Sequence, residues 1–364
     1  MGNKQKIRKI FAWILFPLTI WYAVGVAFRN FCFNLGILRE RSHKITTIGV
    51  GNLCTGGAGK TPFADYLLKM LKTDYRVACL SRGYMRKTQG FVEAVADTTS
   101  AQIGDEPFML HKRNPDVLVT VCENRNKGVE KLLSMSEPPQ IIVLDDVFQH
   151  RYVNPTVNIL LTEYGNPFFN EFVLPFGNLR EPRRGYRRAN IIIITKTPEN
   201  INPLERYAFT QKLKAKPYQH VFFTSIEYKN PIPLNDALPS LRLDELKNIF
   251  FVSGIANPKP AVEKLSAFAS VEHLAFADHH NFLKTDFELI ANKFQQISGE
   301  DKIILTTEKD AVRISNNPNF QSIAHLPIYY LPIEVQFLDN DGEKFSDCLL
   351  KAVKENVYYL KFNS

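Results

Sequence analysis

Cysteine is scarce and unpaired. Cys32, Cys54, Cys79, Cys122 and Cys348 are odd in number and form no Cys-x-x-Cys, which excludes a disulfide framework and a cysteine zinc site and fits a reducing cytosol. Histidine is nowhere at metal-ligand spacing, and no low-complexity tract interrupts a chain that is 45% hydrophobic and 23% charged, a globular composition. Acidic residues are the minority, 37 against 45 lysines and arginines, for a net charge of +8. That surplus favours an anionic partner, either nucleic acid or an anionic membrane surface. The most basic stretch lacks an aromatic stacking platform and no nucleic-acid recognition motif occurs, so nucleic acid is not expected. A length of 364 residues suggests two domains or one large one.

Charge is also missing from one long run. Lys4, Lys6, Arg8 and Lys9 precede 19 uncharged residues, Ile10 to Phe28, that include Trp13, Pro17, Trp21 and Tyr22. No small-residue cleavage site follows, which argues against a signal peptide. A span is awkward, because Arg29, Arg39, Arg41 and Lys44 charge the other flank too. A helix seated at headgroup level is the favoured reading, with a buried core helix as the alternative.

The richest local signal is Gly51-Asn52-Leu53-Cys54-Thr55-Gly56-Gly57-Ala58-Gly59-Lys60-Thr61, between a strand-like run from Ile45 to Val50 and a helical stretch from Phe63. This is a phosphate-binding loop. Its backbone N–H groups close on phosphate oxygens, Lys60 reaches the β and γ phosphates, and Thr61 offers a hydroxyl to Mg²⁺. Cys54 stands where the strict pattern has glycine.

Short β-branched runs at Val77–Leu80, Val117–Val121, Ile141–Leu144, Val157–Leu161 and Ile191–Ile194 alternate with helical stretches, as in a doubly wound, mostly parallel α/β sheet. Ligands collect at the carboxyl ends of such strands. After Ile141–Leu144 come Asp145 and Asp146, a Walker B arrangement able to hold Mg²⁺, followed by His150. After Val77–Leu80 come Arg82 and Tyr84. Gly104-Asp105-Glu106-Pro107 leaves two readings for Asp105: a base accepting a hydroxyl proton, or a helix cap. Five arginines in nine residues, Arg180 to Arg188, interleaved with proline and glycine, describe a basic loop that either clamps phosphate or stays solvated. Lys196 follows the last run, where base-recognition residues often stand, and the absence of a guanine-reading Asp favours adenine. Prolines 231, 233 and 239 mark a linker. The expected division is a membrane-associating segment over 1–40, a P-loop core over 41–228 and a smaller α/β domain over 229–364. In the last, Asp278 can orient His279 for proton transfer.

The order of these motifs, with Leu179-Arg180-Glu181-Pro182, Gly254-Ile255 with Asn257-Pro258, and Thr306-Thr307-Glu308-Lys309-Asp310, resembles the tetraacyldisaccharide 4'-kinase (lipid A 4'-kinase) family over nearly the whole chain. The family commonly has a small polar residue at the position of Cys54. Val147 and Met85 depart from it, each standing where glycine is common. The resemblance implies transfer of the ATP γ-phosphate to the 4'-hydroxyl of a tetraacylated glucosamine disaccharide 1-phosphate, at the cytoplasmic face of the inner membrane, with no obligate protein partner. Carried over residue by residue, Asn52 and Thr55 to Thr61 hold the nucleotide with Lys196. Thr61, Asp145, Asp146 and Glu181 serve Mg²⁺, and Asp105 acts as base, assisted by His279 and Asp278. Arg82, Tyr84, Arg125, His150 and Arg180 contact phosphate or lipid. The rival reading is a membrane-associated P-loop ATPase used as a conformational switch. Those proteins carry a signature lysine at the position of Thr55.

Overall fold

The computed structural model describes residues 12–362 except Asp236, His279 and Glu300, with side chains from 16 to 356 under the same exceptions. The chain opens with helix α1 (Ala12–Asn34), which carries Pro17 inside it. Strand β1 (Thr46–Asn52) is buried throughout and leads into α2 (Lys60–Leu71). Next come β2 (Val77–Ser81), β3 (Val92–Glu93), α3 (Ser100–Ile103), α4 (Asp105–Arg113), β4 (Leu118–Val121), α5 (Arg125–Leu133), β5 (Ile141–Leu144), β6 (Val157–Glu163), β7 (Ile191–Thr195), α6 (Pro203–Leu213) and β8 (His220–Tyr228). A second series follows: β9 (Ile232–Pro233), β10 (Asn248–Ser253), α7 (Lys259–Ser266), β11 (Ser270–Ala275), α8 (Lys284–Gln296), β12 (Lys302–Thr307), α9 (Glu308–Ser315) and β13 (Ile328–Leu331). Strand β14 (Ile333–Phe337) and helix α10 (Asp341–Phe362) end the chain.

Two sheets result. The larger has nine strands in the order β14-β8-β7-β6-β1-β5-β2-β4-β3, parallel except at its edges, where β14 and β3 run antiparallel to β8 and β4. The smaller has five, in the order β11-β10-β12-β13-β9, with only β9 antiparallel. All-apolar runs such as Ile141–Leu144 become the central strands because helices cover both of their faces. β1 lies between β5 and β6, so its carboxyl end opens at the middle of the sheet, where ligands bind in folds of this class.

Two expectations need amendment. The stretch around prolines 231, 233 and 239, expected as a linker, contains the strand β9. Pro233 is accommodated because β9 is an edge strand with only one partner. The stretch 229–364 does not stay together either, since β14 pairs with β8 in the large sheet. The amphipathic spacing of Phe345, Leu349 and Val353, all fully buried, docks α10 into the core formed by Ile48, Phe63 and Phe222. Among the described residues no helix is long and apolar enough to cross a membrane.

Helix α1 touches the body along one stripe. Thr19 accepts a hydrogen bond from the Phe176 amide at 3.0 Å, Tyr22 donates to the Arg180 carbonyl at 2.9 Å, and Phe33 is buried. Its other face leaves Trp21 76% and Phe28 66% exposed, with Phe16, Leu18, Ile20, Val24 and Phe31 beside them.

Phe345 stacks on Phe337 with centroids 4.9 Å apart and meets Phe63 and Phe222 edge-on. Phe345→Ala is expected to lower unfolding stability by about 3–5 kcal/mol in denaturant titration. A loss below about 1 kcal/mol would show that α10 does not anchor this core.

Candidate active site

The glycine-rich loop is built on close approach. A Cβ added at Gly51 would lie 2.6 Å from Phe148 Cβ, and one at Gly49 would lie 2.7 Å from Pro155 Cγ. Strand β1 must therefore be bare on that face for the Asp145–Phe148 turn to cross it. Within the loop from Leu53 to Gly59, positive φ is confined to Gly56 (108°) and Gly59 (79°). Cys54 is not among the positive-φ residues, so a side chain is tolerated where the strict pattern has glycine. The loop is strapped from behind: Thr55 N donates to the Asn178 carbonyl at 2.7 Å and Arg180 N to the Leu53 carbonyl at 2.8 Å. Asn52 Nδ2 donates to the Cys54 carbonyl at 2.7 Å, and Thr195 Oγ1 to that of Ala58 at 3.0 Å. Lys60, the first residue of α2, donates to Asn52 Oδ1 at 3.3 Å and lies 3.6 Å from Asp146.

Strand β5 delivers the two aspartates into contrasting environments. Asp145 is 1% exposed, and its Oδ2 accepts from Ser81 Oγ at 3.1 Å while Oδ1 has no hydrogen-bond partner. Burial, with Glu106 and Asp146 as like-charged neighbours, pushes its pKa up to about 6. Asp146 takes a positive φ of 46° and pairs with Arg180 at 2.9 Å. Burial raises its pKa too, but Lys60 and Arg180 outweigh that and hold the carboxyl below its ordinary range.

Around this pair the polar groups are heavily engaged. Glu181, 2% exposed, accepts from Arg188 at 2.7 Å, Gln149 at 3.1 Å and Asn30 at 3.1 Å. Buried Arg125 donates to the carbonyls of Cys122 and Asp145, bracing the turn. His150 is pushed down to about 4 by burial and by Arg125, Arg29 and Arg82, so it is a neutral imidazole near pH 7. The stretch from Arg183 to Arg188 forms a 3₁₀ helix held by hydrogen bonds from Arg183 to the Glu171 carbonyl and from Arg188 to that of Phe148.

Beside the loop stands α4, packed on α2 and β4 of the large sheet and met by α9 of the small sheet. Gly104, at φ 92°, precedes the helix and no side chain caps it. Asp105 is thus the first helical residue and not the cap, and its Oδ2 accepts from Arg313 Nε of α9 at 2.8 Å. Glu106 pairs with Lys309 at 2.6 Å. Burial raises the Glu106 pKa, yet Lys309 and then Lys60 bring it below the ordinary carboxylate value. Arg113, at the end of α4, binds Glu308 of α9 and Asp65 of α2.

These groups line a cleft of about 2260 Å³. It is lined by Thr55 to Thr61, Arg82, Tyr84, Asp105, Arg125, Asp145, Asp146, His150, Arg180, Glu181, Lys196 and Asp278, so nearly every residue singled out from the sequence meets in one place. Asn52 sits behind the loop, on a small adjoining cavity, and His279 lies outside the described residues. Lys196, at φ 55°, is paired with Glu163 at 3.0 Å. Sequence reasoning did not assign Glu106, Gln149, Glu163, Lys309 or Arg313. The Glu308-Lys309-Asp310 motif after β12 was the available signal for Lys309.

The donor set suits Mg²⁺. Among the described residues no group of three or more His, Cys, Asp or Glu forms a metal cage. Mg²⁺ needs none, because it is bound by one or two carboxylates with the remainder from phosphates and water. The unpartnered, buried Asp145 Oδ1 is the kind of hard oxygen it takes, and Thr61 and Asp146 line the same cleft.

A family model described as tetraacyldisaccharide-1-P 4'-kinase (LpxK) matches residues 11–354. The tetraacyldisaccharide 4'-kinase of Bacteroides thetaiotaomicron is 41% identical, over 98% of this chain and 96% of its own length. That of Flavobacterium johnsoniae is 42% identical, over 94% and 98%. The crystal structure of LpxK from Aquifex aeolicus in complex with ATP is 27% identical, covers 95% of this chain and 99% of its own, and superposes with a TM-score of 0.70.

Cys54 tests the site's electrostatics. Burial, with Glu171 and Glu163 nearby, pushes its thiol up to about 12. The thiolate is the nucleophile, so at pH 8 the native protein should leave Cys54 unmodified by iodoacetamide, and unfolding in urea should expose it. Peptide mass spectrometry reads this out; rapid native alkylation of Cys54 would contradict the raised pKa.

Proposed function

The chain belongs to the tetraacyldisaccharide-1-P 4'-kinase family, and from that premise we propose that it transfers the γ-phosphoryl group of ATP to the 4'-hydroxyl of a tetraacylated disaccharide 1-phosphate. The observation that carries this reading is the shared cleft. It is lined by the phosphate loop, by Asp145 and Asp146 and by Asp105 together, so a phosphate donor and an alcohol can meet beside the carboxylates proposed to hold the cation and to act as base.

In this reading Lys60 and the N–H groups ahead of α2 cradle the phosphates, and adenine lies toward Lys196. Thr61, Asp145 and Asp146 would hold Mg²⁺, which when bound neutralises charge on the β and γ oxygens. Glu181 contributes from behind, because its oxygens already accept from Asn30, Gln149 and Arg188. Asp105 takes the hydroxyl proton as the acceptor oxygen bonds to the γ phosphorus and ADP departs. Its Oδ2 is held by Arg313, while Oδ1 has no hydrogen-bond partner among the described residues. Asp278 lines the same cleft.

The acceptor's acyl chains place this chemistry at a membrane surface. Tyr22, Val26, Arg29 and Asn30 of α1 line the cleft, and the same helix turns Trp21 and Phe28 to solvent. Seated in an anionic interface, α1 would bring the acceptor's headgroup to the cleft's edge without spanning the bilayer.

Asp105→Asn should lower kcat for transfer to the lipid acceptor by about 10²–10⁴-fold with little change in the KM for ATP. Turnover within about threefold of the parent, under about 0.7 kcal/mol of barrier, would remove Asp105 as the base. ADP release that ignores the acceptor would instead favour the switch ATPase. The membrane arm has its own check. Trp21→Glu with Phe28→Glu forfeits about 1.5–3 kcal/mol of burial per side chain, so co-sedimentation with anionic vesicles should fall at least tenfold, at about 1.4 kcal/mol per tenfold. Unchanged sedimentation would refute the seating.

A further inference from the structure

One chain of polar contacts, none of it used above except at its end, runs from the small sheet to the base. Asp310 is fully buried. Its Oδ2 accepts from the Thr307 hydroxyl at 2.6 Å and from the Gly254 N–H at 2.8 Å, which ties it to the ends of β12 and β10. Its Oδ1 accepts from Arg313 Nη1 at 3.2 Å, and Arg313 Nε in turn donates to Asp105 Oδ2 at 2.8 Å. A Cβ added at Gly254 would crowd Asp310 Oδ1 at 3.0 Å.

A buried carboxylate is stable only with its lone pairs satisfied, so Asp310 has a fixed orientation, and a planar guanidinium bound to it inherits that orientation. The guanidinium then fixes one oxygen of Asp105. We propose that Arg313 is a positioning residue that sets the Asp105 carboxylate for the reaction, holding Oδ2 so that Oδ1 is presented to the acceptor hydroxyl. This rests on Asp105 being the base.

A purely adhesive role is the competing explanation, because the neighbouring pair of Arg113 and Glu308 also joins α4 to α9. The two differ in where they end. Arg113 leads to Asp65 and the Ile333 carbonyl, whereas Arg313 leads to the reacting end of α4. Lysine could not substitute fully, being a point donor unable to hold Asp105 and Asp310 in one plane.

The test is a double-mutant cycle on the full-length enzyme with ATP and the lipid acceptor, read as kcat and KM separately, with melting temperatures of each variant. Arg313→Gln should lower kcat about 10–100-fold and leave the KM for ATP within about twofold. In an Asp105→Asn background the same substitution should cost less than about threefold, since there is no base left to position. Arg313→Lys should fall between Arg313→Gln and the parent, and it carries the same comparison if Arg313→Gln loses its cooperative melting transition. A full-sized loss in the Asp105→Asn background, a change confined to KM, or an active Arg313→Gln beside an inactive Asp105→Asn would each overturn the positioning role alone. Full activity of Asp105→Asn would overturn the base reading and this proposal with it.

Discussion

The site depends on how closely one strand lets another turn approach it. Gly49 and Gly51 leave β1 without side chains on the face that Val147, Phe148 and Pro155 cover. Because β1 also pairs with β5, the same strand fixes both the phosphate loop that follows it and the aspartates that follow β5. The distance from Lys60 to Asp146, 3.6 Å, is a consequence of that packing. Any side chain on β1 at these positions would push the carboxylates away from the loop they serve.

Charge arrangement follows from this frame. Asp145, Asp146 and Glu106 are mutually repelling carboxylates in a partly buried cleft, and they are kept close by Lys60, Arg180 and Lys309. Asp145 is left the least compensated, with one oxygen unpartnered and its pKa raised to about 6. A site of this kind is completed by added positive charge, which is what a divalent ion brings with a nucleotide. The surrounding arginines are mostly committed to backbone carbonyls and carboxylates. The net charge of the chain is therefore a poor guide to which cations are available to substrate.

Local features were legible in the sequence wherever one physical signal dominated. All-apolar β-branched runs such as Ile141–Leu144 and Ile191–Ile194 reappear as central strands, and the phosphate loop lies between strand and helix as its mechanism requires. Strands β8 and β14 were missed because their outer residues are polar or half-exposed, which weakens the pattern. The return of the chain to the large sheet was hidden for another reason: α10 reads as an ordinary amphipathic helix, and nothing local says which sheet its Phe345 stripe will meet. The apparent defect at Cys54 dissolved once the backbone was known, since the loop's positive φ angles fall at Gly56 and Gly59.

Least legible were the contacts between α4 and α9, whose partners lie about two hundred positions apart. Asp105 could be read from its motif as either base or cap; the placement of Gly104 ahead of the helix removes the cap, and Arg313 of α9 holds its Oδ2. The two sheets also divide the labour of the site. The large sheet carries the loop, the aspartate pair and the amphipathic face of α1, so it presents the groups expected to hold donor and acceptor. The small sheet contributes Lys309 and Arg313, each engaged with a carboxylate of α4. Phosphoryl transfer gains most from positioning and charge, and in this arrangement the second sheet acts chiefly by fixing the charges of the first.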